Sequence, residues 1–262
     1  MNPPSSSKPG SDAPCILVTN DDGFDAPGIA MLAEAAGELG NVVVAAPDTE
    51  QSASSHSLTL VRPLRVVQVD EHRFRIDGTP TDCVHLAVPR LTGNRLPDLI
   101  LSGINRGLNV GDDVIYSGTV AGALEGTLLH VPSLAVSAEM DERGEANYAA
   151  AARIAVRLAG RLLRGELAPG VLLNVNVPRG EPKGIRATRQ GTRSYRTTAL
   201  ERRDPSGRPY FWIAGADTTP TGEPDGDHEA IRAGYVSISP LHPNLTHEPS
   251  LARLAGWKLD GN

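Results

Sequence analysis

The sequence predicts a three-layer α/β/α sandwich with a Rossmann-like, mostly parallel sheet, followed by a β-rich C-terminal extension. Three observations carry this. Short apolar runs alternate with helical patterns across the first 178 residues. Apolar runs at 15–19 and 42–45, joined by a helical pattern at 28–39, make a β-α-β start, which calls for parallel strands and a right-handed crossover. Beyond residue 178 the pattern breaks into short β-like pieces and Gly- and Pro-containing loops.

The chain has 262 residues, 40% of them apolar, enough to bury a sizeable core. Aromatics are only 4%, while 27 glycines and 21 prolines point to many tight loops. A net charge of −6 argues against a broad basic surface for a nucleic-acid polymer but leaves room for a small phosphate ligand. No run approaches the roughly 18 consecutive apolar residues of a membrane span. The first 14 residues, MNPPSSSKPGSDAP, lack the apolar stretch of a secretory signal and read as a disordered leader. Residues 15–262 then form one domain, with a core at about 15–178 and an extension at about 179–262. Cys15 and Cys83 both lie in apolar settings, as expected of a reduced, cytoplasmic protein without a disulfide.

In order, 15–19 is a buried strand. The helix at 28–39 sets Ile29, Leu32, Ala36 and Leu39 on one stripe, with Pro27 in its first turn and Gly40 as its stop. Strand 42–45 empties into a polar loop, 46–57, rich in serine and carrying His56. Residues 58–60, 64–69 and 73–76 read as an antiparallel excursion, and 80–88 as a helix with Asp82 as a favourable charge at its start. Strand 97–101 runs into a Gly- and Asn-rich loop at 102–111, and a helix over 121–130 follows the hydroxyl-rich segment 116–120. Strand 131–136, helix 146–164 and strand 171–177 complete the core. The arginines of 183–213 read as a solvated hairpin laced with Asp and Glu. A loop at 216–227, a helix near 228–233, a strand at 235–239 and a helix at 249–257 close the chain.

Ligands of open parallel sheets sit beyond the carboxyl ends of the strands. Here those ends are rich in oxygen: Asp21 and Asp22 after the first strand, Ser52 after the second and Asn105 after the third. Two carboxylates, a hydroxyl and an amide suit a hard divalent cation. Taken singly, each segment also reads as an ordinary polar turn. The start of the helix after Ser117, Gly118 and Thr119 offers free N–H groups to an anion, and the simpler reading is that Ser117 or Thr119 caps the helix; both can hold, since a cap needs one hydroxyl. Glu125, two turns on, reads as structural. The seven histidines never take zinc-ligand spacing, and neither a phosphate-cradling glycine motif nor a nucleophile elbow occurs. A metal-activated water attacking a phosphomonoester fits this set, with a non-hydrolytic nucleotide-binding protein as the alternative.

The motifs ILVTNDDG at 16–23, APDxxQSxxS at 46–55, SGINxGxN at 102–109 and YSGTV at 116–120 resemble the SurE survival-protein family of metal-dependent nucleotidases. GTPTDCV at 78–84 and YVSISPLHPNLT at 235–246 extend the resemblance over nearly the whole chain. It implies that Asp21, Asp22, Ser52 and Asn105 hold one Mg²⁺ or Mn²⁺ per subunit, with Asp21 and Asp22 assisting catalysis. Ser117, Gly118 and Thr119 then belong to a phosphate pocket, and Asn20, Ser102, Gly103 and Asn109, in the same motif segments, are expected to bind substrate. The implied activity is release of phosphate from nucleoside 5′- or 3′-monophosphates, in some members with action on polyphosphate. A homodimer or homotetramer through the C-terminal extension is also implied. Departures are Ala53 for a glycine, Ala121-Gly122 for Gly-Ala, and His228 where a tryptophan is common.

Overall fold

The computed structural model describes residues 13–194, 197–215, 219–220 and 223–257. The expected leader therefore lies almost wholly outside the described residues. Its last residue does not: the Pro14 carbonyl accepts from Asn41 N at 2.8 Å.

The core elements are β1 (Cys15–Thr19), α1 (Pro27–Ala36), β2 (Asn41–Pro47), β3 (Val66–Gln68), β4 (Arg73–Ile76), α2 (Pro80–Arg90) and β5 (Leu99–Arg106). They continue with α3 (Asp113–Tyr116), α4 (Gly118–Leu128), β6 (Ser133–Ala138), α5 (Tyr148–Leu163) and β7 (Leu172–Val177). Ile16, Leu17 and Val18 of β1 are fully buried, as a strand covered on both faces must be. β1 pairs in parallel with β2, Ile16 opposite Val42, and with β5, Ile16 opposite Leu99. β6 and β7 add in parallel beyond β5. One layer is made by α1 and α5, whose Ile29, Leu32, Leu158 and Leu162 join Ile16, Val18 and Leu101. The other is made by α2, with Cys83, Val84 and Ala87 against Leu17 and Ile100, and by α4, with Val120 and Ala123 near Leu172. Gly28 lets α1 lie directly on β5: a Cβ there would stand 2.1 Å from the Ile104 carbonyl oxygen.

Several boundaries differ from expectation for identifiable reasons. α1 ends at Ala36, because Gly37 already turns back onto the Ala33 and Glu34 carbonyls. Residues 58–60 are not a strand. Thr59 gives its N–H to Asp82 Oδ1 (2.8 Å) and its hydroxyl to Asp82 Oδ2 (2.7 Å), so its polar groups are satisfied by the capping box of α2 instead of a ladder. The excursion is antiparallel only between β3 and β4, since β4 adds in parallel to β2. β5 runs on to Arg106, taking in half of the segment read as a loop.

The C-terminal part comprises β8 (Ile185–Ala187), β9 (Arg193–Ser194), β10 (Thr197–Arg203), β11 (Pro209–Gly215), β12 (Thr219–Pro220), α6 (Asp227–Arg232), β13 (Val236–Leu241) and α7 (Glu248–Leu254). β13 pairs antiparallel with β7 and parallel with β8, completing a sheet of order β3-β4-β2-β1-β5-β6-β7-β13-β8. The arginine-rich stretch is laced with acids as expected: Arg189–Asp225 at 2.7 Å and Arg208–Asp204 at 2.8 Å. The β10–β11 hairpin pairs with itself and leaves Phe211, Trp212 and Ile213 exposed. Both cysteines are free. Among the described residues no helix is long and apolar enough to cross a membrane.

Candidate active site at the carboxyl ends of the central strands

From β1 the chain crosses to β2 on one side and later to β5 on the other, so a crevice opens between the carboxyl ends of β1 and β5. A cavity of about 440 Å³ lies there. Asp21, Asp22, Ser52, Asn105, Asn109 and Ser117 all line it, brought together from four segments of the chain.

The backbone builds each position. Asn20 is fully buried and donates its Nδ2 to the Gly23 carbonyl at 2.8 Å, shaping the turn that presents the two aspartates. The loop after β2 folds over this turn, with Gln51 N donating to the Asp21 carbonyl at 2.7 Å. Asp22 Oδ2 accepts from Arg106 N at 3.0 Å, which ties the first loop to the end of β5. The β5–β6 ladder shifts register between Ser102 and Asn105. Gly103 sits there at φ +138, where a Cβ would meet the Val136 carbonyl at 2.3 Å, so glycine is required. Asn105 Nδ2 donates to the Gly107 carbonyl at 2.9 Å, which orients the side chain and leaves its oxygen for the cavity. Ser52 donates to Glu50 Oε1 at 2.6 Å.

α4 supplies the remaining wall. Ser117 caps it, its Oγ accepting from Val120 N at 3.0 Å, so the cap role and a place in the cavity coexist. The Thr119 hydroxyl donates to Asp21 Oδ1. Gly118 packs against Asp21 and Ser54. Ser102 is buried under α4, close enough that a Cβ on Gly122 would lie 2.8 Å from its Oγ. Asn20, Ser102, Gly103, Gly118 and Thr119 thus stand behind the cavity lining. Asn109 is held on both sides: its N–H donates to Asn176 Oδ1 (2.8 Å), its Nδ2 to Ser137 Oγ (2.9 Å), and its carbonyl accepts from Asn174 and Asn176.

Burial pushes the Asp21 carboxyl from 3.8 up to about 6; the Thr119 hydroxyl pulls the other way, and the Asp22 charge adds to the rise. Asp22 is raised too, first by burial and then by the Glu50 charge, against the Arg106 amide. Negative charge is therefore crowded here, and the Arg106 charge offsets only part of it at Asp22. Among the described residues, no group of three or more His, Cys, Asp or Glu side chains is placed to hold a metal ion. The candidate set is different in kind: two carboxylates, a hydroxyl and an amide oxygen around one cavity, all hard donors. That chemistry fits Mg²⁺ or Mn²⁺.

Sequence reasoning did not single out Glu50, Arg106, Leu108, Asp113, Tyr116 or Met140, which also line the cavity. Of these, Glu50 carried a signal as an acid two residues before Ser52 at a strand end, and Tyr116 as the first residue of the YSGTV motif. Histidines are absent from the lining: His56 turns to Glu125 instead.

A model of the family described as "Survival protein SurE" matches residues 16–197. The chain is 48% identical over 247 residues to the 5′-nucleotidase SurE of Geotalea uraniireducens (strain Rf4), covering 93% of this chain and 99% of that one. It is 47% identical over 248 residues to the 5′-nucleotidase SurE of Myxococcus xanthus (strain DK1622), covering 94% of each. The crystal structure of the SurE protein from Aquifex aeolicus superposes with a TM-score of 0.82 at 42% identity, over 92% of this chain and 98% of that one.

Proposed function

The chain belongs to the survival protein SurE family, and we propose that the cavity between β1 and β5 is where it hydrolyses nucleoside monophosphates. The enzyme is a 5′-nucleotidase, a phosphomonoester hydrolase. The finer reading is that it needs one divalent cation, Mg²⁺ or Mn²⁺, held by Asp21, Asp22, Ser52 and Asn105. The observation that carries it is the convergence of those four oxygen-bearing side chains with the start of α4 around one cavity. When bound, the cation supplies Lewis-acid stabilisation of phosphoryl charge and activates water at neutral pH.

The chain's own residues do the rest. Ser117 and the start of α4 receive the phosphate, where the helix dipole favours an anion beside the N–H groups already given to the Ser117 cap and to Asp21. Thr119 holds the Asp21 carboxylate in place by donating to Oδ1. The Arg106 amide does the same for Asp22 at Oδ2. Asn109, fixed by Asn174, Asn176 and Ser137, forms a rigid wall for the substrate. The proton acceptors in the lining are carboxylates: Asp21, Asp22, Glu50 and Asp113. Asn20, Ser102 and Gly103 support the site by shaping the two strand ends.

The test is phosphate release from 5′-AMP, 3′-AMP, GMP and tripolyphosphate, in EDTA and with Mg²⁺ or Mn²⁺ restored. The expected result is release from 5′-monophosphates that EDTA abolishes and the cation restores, with weaker action on the 3′-ester and on polyphosphate. Full activity in EDTA would sink the cation role, and binding of AMP without turnover would favour a nucleotide-binding protein.

We further propose a cytoplasmic homodimer or homotetramer built through the C-terminal extension. Its support is the apolar surface there: Phe211 is 61% exposed, Trp212 65% and Ile213 90%, on a hairpin that packs on no other strand among the described residues. Light scattering should give twice or four times the chain mass of 27.6 kDa, and Ile213→Asp should lower it. A monomeric wild type would overturn this.

A further inference from the structure

Glu125 lies two turns into α4 and is buried, yet both its oxygens are engaged by imidazoles from distant parts of the chain. His56 Nε2 is 2.9 Å from Oε2 and His85 Nδ1 is 3.2 Å from Oε1. The two contacts join different things. His85 belongs to α2, so its contact ties one helix to another. His56 belongs to the loop after β2, four residues beyond Ser52, so its contact ties that loop to α4.

The loop needs such a tie. Ala53 and Ser55 have φ of 57 and 53, the left-handed region that non-glycine residues keep only where the surroundings hold them. Ser52 and Ala53 are exposed, so packing does not fix this tip. It is held at its flanks: Gln51 N donates to the Asp21 carbonyl, and Ser55 donates by N–H to the Tyr116 carbonyl (3.1 Å) and by hydroxyl to the Ile115 carbonyl (2.8 Å). His56 adds a contact from the returning limb to the Glu125 carboxylate. α4 meanwhile begins at Ser117–Thr119, with Thr119 on Asp21. One helix therefore grips Asp21 at its start and, through Glu125, the loop that carries Glu50 and Ser52.

We infer that the Glu125–His56 pair is a positioning device for the cation site, setting Ser52 and Glu50 against Asp21 and Asp22. The inference rests on the reading of Ser52 as part of that site. The state of Glu125 agrees with it: the His56 hydrogen bond, against burial, holds its carboxyl below the usual range, so it stays ionised as an anchor. Groups that support a metal's direct ligands typically change its affinity about 10- to 100-fold when removed.

The test is direct Mn²⁺ binding by calorimetry on metal-stripped full-length protein. His56→Ala is expected to weaken Mn²⁺ binding about tenfold. His56→Gln, whose amide N–H can still donate to Glu125, should recover most of it. In a Ser52→Ala background, His56→Ala should cause a smaller further loss than in the wild type, because the two act through one arm. His85→Ala removes a contact to the same carboxylate but leaves the loop tied, and should leave binding near the wild type. Wild-type affinity in His56→Ala, or an equal additional loss on top of Ser52→Ala, overturns the inference alone. Wild-type protein that binds no Mn²⁺ overturns the cation site and the inference with it.

Discussion

Asp21→Asn is expected to lower phosphate release by about three orders of magnitude, the scale of losing a preorganised charge at the reacting centre. The same change should not destabilise the cation-free protein at pH 7.5. Burial raises the Asp21 carboxyl from 3.8 to about 6, so the folded chain holds that proton more tightly than the unfolded chain. A group raised in this way contributes stability at low pH, and the contribution is lost as pH rises through about 6. Above that point the ionised carboxylate costs about 3 kcal/mol. Asparagine keeps the shape, can still accept from Thr119, and carries no charge. The cation-free variant should therefore melt above the cation-free wild type at pH 7.5, and the gap should shrink to about half near pH 5, closing only below the unfolded value of 3.8. With saturating Mn²⁺ the order should reverse at pH 7.5, because only the wild type gains a ligand. Melting curves at the two pH values, with and without Mn²⁺, check this. Unchanged turnover in both Asp21→Asn and Asp22→Asn would remove the carboxylates from the mechanism.

That pairing of a costly carboxylate with a strand end explains what the sequence made legible. The apolar runs of β1, β2 and β7 are local, and so are the Pro27 start and the Ile29-Leu32-Ala36 stripe of α1; each was readable from neighbours alone. Asp21, Asp22, Ser52, Asn105 and Ser117 were readable because each follows such a run or starts such a helix. What was hidden depends on contacts across long separations. β5 continues through Ser102 to Arg106 even though Gly103 and Asn105 carry no strand pattern, because β6 supplies the ladder on the far side of a register shift. Glu50 reaches the cavity because its loop doubles back at Ala53 and Ser55, and positive φ at alanine and serine has no signature in the sequence. Asp227 is another such case. It is fully buried and accepts from Gly111 N at 2.8 Å, Gly191 N at 3.1 Å and His228 N at 2.7 Å, pinning the loop after β5 to the C-terminal extension. The extension therefore does more than add strands: it pins the loop at Gly111, two residues beyond Asn109.

Gly118→Ala should damage the site, although the helix itself would welcome it. Alanine is favoured over glycine in a helix by about 1 kcal/mol, and Gly118 is the first residue of α4 after its Ser117 cap. The obstacle is what stands beside it. A Cβ on Gly118 would lie 2.8 Å from Asp21 Cβ, 2.8 Å from Ser54 Oγ and 3.0 Å from Asp21 Oδ2. The Ser54 hydroxyl can rotate aside, but Asp21 Cβ is one bond from the backbone and cannot. Either the start of α4 lifts away from β1 or the Asp21 carboxylate turns out of place, and both separate the phosphate-receiving helix end from the cation site. A misplacement near 1 Å costs about 100-fold in rate, so kcat/KM for 5′-AMP should fall by about that factor while far-UV circular dichroism stays unchanged. Gly160→Ala is the matched control. It also lies inside a helix, α5, but its Cβ would meet only Arg164 Nη1 at 3.6 Å and Leu39 Cδ2 at 3.8 Å, ordinary contacts. That variant should gain stability and keep full activity. Retention of wild-type turnover by Gly118→Ala would mean that the helix start and Asp21 do not need to be pressed together for the reaction.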